Sequence, residues 1–278
     1  MAIQPERLDQ SRMELAAMLQ RLRKQAGLSG ARLAARCNMS QSKISRIEGN
    51  KIRPSLVDVE QILKALGAPP TVTAEATALA RISQTEWQGR RTLHRKGLEK
   101  KQWELAGIEA STTDFRHFLL SMTTGLLAIP EYITASISNT PPAQQAKAVA
   151  MKLERQAVLL DHAKNFTFIL TEQAVKYPLL PPPSMAMQID RLTLLSHQVN
   201  IEIGLLPLGV NFSSTPLSTF TVYDDRLATI ETDLGAAVFR DPRDVRSLLD
   251  RFDGYQSRAV YGDEARGLLT QWARAFRR

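Results

Sequence analysis

One stretch of the chain, from Ser29 to Ser55, constrains the fold more than any other. It predicts two short helices joined by a tight turn, with a further helix to follow. Ser29 and Ser40 stand directly before the two helical segments, where a serine hydroxyl can cap a helix. Asn38 lies between them, and asparagine tolerates the left-handed backbone that a sharp turn requires. The stretch therefore predicts a small all-α domain.

The second of these helices is brief, and its outer face is strongly polar. Ile44 and Ile47 are three residues apart and are expected to face the core. The outward residues are those whose side chains hydrogen-bond to bases and phosphates, namely Gln41, Ser42, Lys43, Ser45 and Arg46. Glutamine can pair with adenine and arginine with guanine, while lysine suits a phosphate. An ordinary bundle helix also has a polar outer face. The neighbouring segments are therefore needed to distinguish a DNA-reading helix from a bundle helix whose polar face only contacts solvent.

The flanking segments complete a compact helical core. Upstream leucines are spaced for an amphipathic helix that ends near Gly27, and a similar pattern downstream ends at Gly67. The apolar positions are Leu15, Leu19 and Leu22 upstream, and Leu56, Val59, Leu63 and Leu66 downstream. A polar helix set on such a core can enter the major groove of DNA.

The positive charge of the chain is concentrated in its first part. Residues 1–70 contain 12 Lys and Arg against 6 Asp and Glu, residues 71–112 contain 7 against 5, and residues 113–278 contain 17 of each. A local basic surface attracts a polyanion, so double-stranded DNA is the predicted partner. No segment pairs a cationic face with the bulky apolar face of a membrane-surface helix, so no membrane binding is expected.

Residues 13–67 resemble the Xre family of helix-turn-helix regulators, which includes the lambda-type phage repressors. The resemblance is carried by residues 27–29, 33–34, 40–49, 54 and 65–67. From it we predict base contacts by Gln41, Ser42, Ser45 and Arg46, and phosphate contacts by Ser29, Lys43, Asn50, Lys51 and Arg53. Two positions depart from the family: Gly30 stands where a glutamine often contacts a phosphate, and Asn38 where a glycine often forms the turn.

The chain divides into three predicted parts, and its fold class is multidomain. Ala68, Pro69 and Pro70 are expected to end the fourth helix. This predicts an all-α, lambda-repressor-like helix-turn-helix domain over 1–70, followed by a helical connector over 71–112. Residues 113–278 predict an α+β domain that binds an effector or a partner protein, or forms a dimer. Its expected helices are 114–127, 148–162, 185–198, 242–259 and 264–276, and its expected strands are 166–171, 199–206, 217–223 and 227–232.

The C-terminal part is similar to the uncharacterised domain that commonly follows Xre-type domains in actinobacteria. The similar segments are 124–132, 153–160, 166–174, 199–207 and 229–232. The resemblance implies a sensing or partner-binding domain in regulators of development and secondary metabolism, often encoded beside a small partner protein. It offers no effector-binding residues, so the effector site is unknown at this point.

We expect neither catalysis nor a cofactor. The sequence has no Walker glycine loop, Rossmann fingerprint or nucleophile elbow, and His117, His162 and His197 lack metal-ligand spacing. Glu172 with Glu231, and Arg155 with Glu154, are interpreted as structural ion-pairing residues rather than catalytic carboxylates.

A cytoplasmic location is expected. The single cysteine, Cys37, forbids an intrachain disulfide and suits a reducing compartment. The first residues form no hydrophobic signal segment, and the sequence has no apolar run long enough to span a bilayer.

These observations predict a sequence-specific transcriptional regulator that binds a pseudo-palindromic operator as a homodimer. One recognition helix contacts only a few base pairs, and a dimer multiplies the discrimination. Two other interpretations stay open. In one, the protein is an antitoxin-like interaction module whose DNA binding is autoregulatory; in the other, the C-terminal domain is a sensor gated by a small-molecule effector.

Overall fold

The computed structural model describes residues 5–89, 105–211, 215–232 and 234–277. The chain forms two compact units. The N-terminal unit contains Met1–Trp87 together with Ala237–Asp241, and the C-terminal unit contains Gln88–Ala236 and Pro242–Arg278. The N-terminal unit is therefore built from two separate stretches of the chain.

Five helices form the main part of the N-terminal unit: α1 (Pro5–Gln25), α2 (Gly30–Arg36), α3 (Gln41–Glu48), α4 (Leu56–Leu66) and α5 (Pro70–Ser83). Helices α2, α3 and α4 each follow a serine whose hydroxyl accepts a hydrogen bond from the backbone N–H three residues on; these are Ser29, Ser40 and Ser55. Asn38 and Asn50 have positive φ angles of 51° and 52°, in the left-handed region. The caps predicted at Ser29 and Ser40 and the turn predicted at Asn38 are thus confirmed, and Ser55 is a further cap.

The core of this unit includes all five helices. Leu15, Ile44, Val59 and Leu63 are almost completely buried in it, as predicted from the apolar spacing. Helix α5 contributes Ala76 and Ala80. The compact unit consequently extends beyond the domain boundary predicted at residue 70, because the prolines there start a helix instead of leading the chain away.

The predicted helical connector over 71–112 is only partly helical. Helix α5 occupies its first part, but Thr85–Gly89 form a strand, β1. Residues 105–110 are helical and are labelled α6, and residues 90–104 lie outside the described part of the chain. Strand β7 (Gly235–Phe239) is the hydrogen-bonded neighbour of β1, and Ala237–Asp241 are counted within the N-terminal unit.

The C-terminal unit is a mixed sheet covered by helices. Its strands are β2 (Asp114–Leu119), β3 (Asn165–Thr171), β4 (Ile201–Leu206), β5 (Phe220–Tyr223) and β6 (Leu227–Thr232), and their spatial order is β6-β5-β2-β3-β4. β2, β3 and β4 are parallel, whereas β5 is antiparallel to both β2 and β6. The helices are α7 (Pro130–Ser136), α8 (Pro142–Arg155), α9 (Glu172–Lys176), α10 (Pro182–Leu195), α11 (Pro242–Gln256) and α12 (Gly262–Phe276).

Apolar residues fill both faces of this sheet. On one face Phe115 belongs to a core cluster with α10 and α12. On the other face Phe118 packs with Phe252 and Tyr255 of α11. The multidomain class, with an all-α N-terminal region and an α+β C-terminal region, is confirmed.

The main error of the sequence prediction concerns β2, which was predicted as a helix over 114–127. Phe115, Phe118 and Leu119 have helical spacing, but in the structure both faces of this strand are buried. A strand buried on both faces loses the alternation that would identify it. Strands β5 and β6 form a hairpin whose turn is at residues 224–226, and the proline run at 181–183 begins α10.

Two further properties concern the part of the chain that the structure describes. None of its helices is both long and apolar enough to cross a membrane. Nor do its His, Cys, Asp and Glu side chains form a group of three or more that could hold a metal ion.

Candidate nucleic-acid interface

Helix α3 has one buried edge and one exposed face. Ile44 and Ile47 are each 1% exposed and fix the buried edge. The four predicted base-contacting residues, Gln41, Ser42, Ser45 and Arg46, are all exposed. The structure therefore brings these four side chains together on the outer face of one short helix, with donors and acceptors suited to base edges.

The start of α3 is held by the Ser40 cap and lies close to the start of α2. Ser40 Oγ is 3.2 Å from Ser42 Oγ. A Cβ atom at position 30 would lie 3.8 Å from Gln41 Nε2, in ordinary van der Waals contact. Gly30, one of the departures from the family pattern, thus keeps open the space beside the Gln41 amide.

The end of α3 is fixed by an ion pair with α1. Arg23 binds the Glu48 carboxylate with two nitrogens, at 2.6 and 2.7 Å, and a third nitrogen donates to the backbone oxygen of Leu28 at 2.8 Å. The hydrogen bond with Glu48 holds the pKa of Arg23 above its usual value. A two-pronged contact of this kind restrains orientation as well as distance.

Lys43 is committed to a partner within the N-terminal unit. Its Nζ lies 2.6 Å from Asp58 Oδ1, and Asp58 also closes the capping box at Ser55. Burial acts to raise the pKa of Asp58, but the hydrogen bonds from Lys43 and Ser55 outweigh it and leave the pKa below its usual value. The phosphate contact predicted for Lys43 stays a prediction. It would require the ammonium group to bind the Asp58 carboxylate and a DNA phosphate at the same time.

The loop after α3 carries three more of the predicted phosphate contacts. Lys51 is exposed, Asn50 is half-buried, and the backbone N–H of Lys51 donates to the Arg46 oxygen at 2.7 Å. Arg53 differs from both because its side chain is only 16% exposed and its Nη1 lies 3.2 Å from Glu86 Oε2. Burial lowers the pKa of Arg53, against the opposing effect of Glu86. Its phosphate contact also stays a prediction, as does that of the exposed Ser29.

Sequence reasoning missed the residues that surround Arg53. Glu86 Oε2 is also 3.2 Å from Arg240 Nη1, and the Gln84 amide donates to the Pro54 oxygen at 2.9 Å. Arg240 belongs to the second stretch of the N-terminal unit. No local signal in the sequence links positions 53 and 240, since their proximity depends on how the whole chain folds.

The charged residues considered for catalysis make other contacts. Glu172 forms an ion pair with Lys176 at 2.8 Å and accepts the Leu208 N–H at 2.9 Å. Arg155, in the C-terminal unit, binds Glu109, with its Nε 3.1 Å from Glu109 Oε2. The interpretation of Glu172 and Arg155 as structural rather than catalytic residues stays a prediction.

Comparison with known proteins gives two family matches. A model of helix-turn-helix domains matches residues 14–76, and a model of the domain of unknown function DUF5753 matches residues 102–271. No curated protein matches the chain.

Two solved structures show weak likeness. One is a phospholipase D family member, Nuc, from Salmonella typhimurium, with 11% identity, coverage of 58% of this chain and 90% of that chain, and a TM-score of 0.32. The other is TrmBL2, an archaeal chromatin protein, with 11% identity, coverage of 64% and 53%, and a TM-score of 0.31. Likeness at this level supports no statement about fold or function.

Proposed function

The chain belongs to the DUF5753 family and carries an Xre-like helix-turn-helix domain before that region, and from this premise we propose that it is a sequence-specific transcriptional regulator. It acts on DNA in the cytoplasm, with the exposed face of α3 in the major groove. The helix-turn-helix match and the concentration of positive charge in residues 1–112 both support this role.

The single observation that carries the proposal is the common exposure of Gln41, Ser42, Ser45 and Arg46 on a helix whose two ends are restrained. Base discrimination depends on placing donors and acceptors accurately against base edges, so a rigid platform is needed. Here the Ser40 cap restrains the start of the helix and the Arg23–Glu48 pair restrains its end.

Selection of binding sites from random DNA by the purified full-length protein tests the proposal. We expect one enriched motif that matches upstream regions in genome-wide enrichment. Uniform recovery of random sequences, with no enriched motif, would contradict sequence-specific binding.

The regulator binds as a homodimer on a pseudo-palindromic operator. The support is the size of the readout, since four side chains on an eight-residue helix contact too few base pairs to be specific alone. Half-sites should lie about 34 Å apart, or a multiple of that distance, on one face of the duplex. Light scattering of the protein–operator complex tests this, and one protomer per operator would exclude it.

The C-terminal unit controls the binding by sensing a small molecule. A cavity of about 250 Å³ in this unit supports the proposal; Ala106, Glu109, Met151, Arg155 and Val158 are among its lining residues. It combines apolar walls with a charged pair, as small-molecule sites commonly do. If a cell metabolite fraction releases the operator from the wild type but not from Met151→Trp, the cavity is the effector site. Release by a small partner protein in both variants would favour the antitoxin-like alternative.

A further inference from the structure

Five residues from late in the chain are part of the unit that contains α3. Ala237–Asp241 belong to the N-terminal unit, although the residues on both sides of them belong to the C-terminal unit. Asp241 is anchored there: its side chain is 3% exposed, and its carboxylate is 3.4 Å from Arg81 of α5. The unit that contains α3 therefore includes a segment that lies far outside the helix-turn-helix region of the sequence.

Arg240 of this segment reaches the loop after α3 by two routes. In the first, Arg240 Nη1 and Arg53 Nη1 both lie 3.2 Å from the same oxygen, Glu86 Oε2. In the second, the Arg240 backbone N–H donates to the Gln84 oxygen at 3.2 Å, and the Gln84 amide donates to the Pro54 oxygen at 2.9 Å. Both routes end on adjacent residues of the same loop.

That loop continues directly from the recognition helix. The backbone N–H groups of Lys51 and Ile52 both donate to the Arg46 oxygen, at 2.7 and 3.2 Å. Asn50 and Lys51, predicted to contact phosphates, lie between Arg46 and Arg53. A shift of Arg53 is therefore transmitted over a few residues to the predicted phosphate contacts and to the last turn of α3.

The Arg53 side chain depends strongly on Glu86. Its Nε is buried and has no hydrogen-bond partner among the residues that the structure describes. The guanidinium is desolvated, and its ion pair with Glu86 compensates for part of that cost. Arg240 fixes the carboxylate on which Arg53 relies.

We propose that Arg240 is a positioning residue for DNA binding, acting through Glu86 on Arg53 and on the loop after α3. The inference rests on the proposed function, because it concerns how the same DNA-binding face is held. It assigns to a residue far outside the helix-turn-helix region an indirect effect on operator affinity. Arg240 itself is not expected to contact a phosphate.

The test uses full-length Arg240→Gln and a fluorescent operator fragment from the site selection. We expect about fivefold weaker binding to the operator, because a half-buried ionic tether of the loop is lost. The slope of log affinity against log salt should stay at the wild-type value, since no phosphate contact is removed. The matched control is Arg246→Gln, which removes the same charge from an exposed ion pair with Asp250 and should leave affinity unchanged.

Two further variants separate positioning from a general structural effect. In a Glu86→Gln background, Arg240→Gln should cause almost no additional loss, because its route to Arg53 is already broken. Arg240→Lys should restore most of the affinity, since it keeps a cation at the position that pairs with Glu86 Oε2. If Arg240→Gln melts below the assay temperature, Glu86→Gln alone breaks the same contact from its other end and should weaken operator binding with an unchanged salt slope.

Several outcomes overturn the inference. Wild-type affinity of Arg240→Gln, or losses that add fully with those of Glu86→Gln, would remove the positioning role. A salt slope reduced by about one phosphate contact would make Arg240 a direct DNA contact instead. If the wild-type protein selects no operator, the proposed function itself is wrong. If the wild type and Arg240→Gln bind one operator equally well, only the positioning role of Arg240 is wrong.

Discussion

The two units of this protein are stabilised in different ways. In the N-terminal unit, short helices are fixed by contacts between residues near in sequence, such as the serine caps three residues from their donors. In the C-terminal unit, the central strand β2 pairs with strands far along the chain, at Asp114 with Asn165 and at Phe115 with Tyr223. The two parts of the chain also differ in charge, since the excess positive charge lies entirely within the first 112 residues.

This difference explains why function is easier to infer for one unit than for the other. A recognition helix presents its binding residues within two turns, so local sequence contains most of the relevant information. A binding site in an α+β unit is assembled from separate elements: the cavity beside Arg155 takes residues from α6, α8 and the 3₁₀ helix Gln156–Leu160 that follows α8. Four predictions, ordered by the size of the expected effect, test how far the two units behave separately.

The largest effect should follow from Glu48→Ala. The substitution leaves Arg23 with its charge largely buried and without the carboxylate that binds it, which should lower the stability of the N-terminal unit by about 3 kcal/mol. Hydrogen–deuterium exchange should show much faster exchange in peptides from α1 to α4 and little change in peptides from β2 to β6. Glu60→Ala, at an exposed position of α4, is the control. Equal loss of protection in both units would show that they unfold as one.

The same contrast appears in what the sequence could predict. The exposed face of α3, its caps and the turn at Asn38 follow from residues within a few positions of one another, and all were found where expected. The environment of Arg53 was missed because Glu86 and Arg240 approach it only in the folded chain. Strand β2 was misassigned for a related reason, since burial on both faces is a property of the sheet and is not visible in one segment.

The second prediction concerns acid stability of the C-terminal unit. His117 is buried, stacks on Phe168 and has its Nδ1 3.0 Å from Thr221 Oγ1. Burial, with a smaller effect of Arg155, lowers its pKa from 6.5 to about 3. Because the folded pKa lies below the unfolded pKa, the unfolded state binds more protons once the pH falls below about 6.5.

The expected loss of stability between pH 6.5 and 4.5 is about 2–3 kcal/mol. Urea unfolding followed by the fluorescence of the buried Trp272, with the other two tryptophans replaced by phenylalanine, measures it. His117→Phe should remove most of this pH dependence. An unchanged slope in that variant would assign the acid sensitivity to other groups.

The third prediction tests whether base reading is confined to the N-terminal unit. Arg46→Ala should weaken binding to the selected operator by about 1–3 kcal/mol and change binding to random DNA little, because a base contact is lost. Gln41→Ala should behave similarly. Arg258→Ala, which removes an exposed arginine from the C-terminal unit, should leave both affinities unchanged. Equal losses on operator and random DNA for Arg46→Ala would identify a phosphate contact instead.

The smallest effect concerns the shared charge of Lys43. If its ammonium group serves a phosphate as well as Asp58, Lys43→Ala should weaken binding to operator and random DNA alike, by no more than about 1 kcal/mol, and lower the salt slope. Asp58→Asn should have the opposite sign, with slightly tighter binding to any DNA, because the carboxylate 2.6 Å from Lys43 competes with the phosphate.

Glu60→Gln removes the same charge from an exposed position on α4 and separates this local competition from a general change in net charge. Tighter binding by Asp58→Asn alone would support a phosphate contact by Lys43. Equal tightening by both variants would mean that only the overall field changed, and Lys43 would then belong with Arg23 and Arg53 among the basic residues that hold the N-terminal unit together.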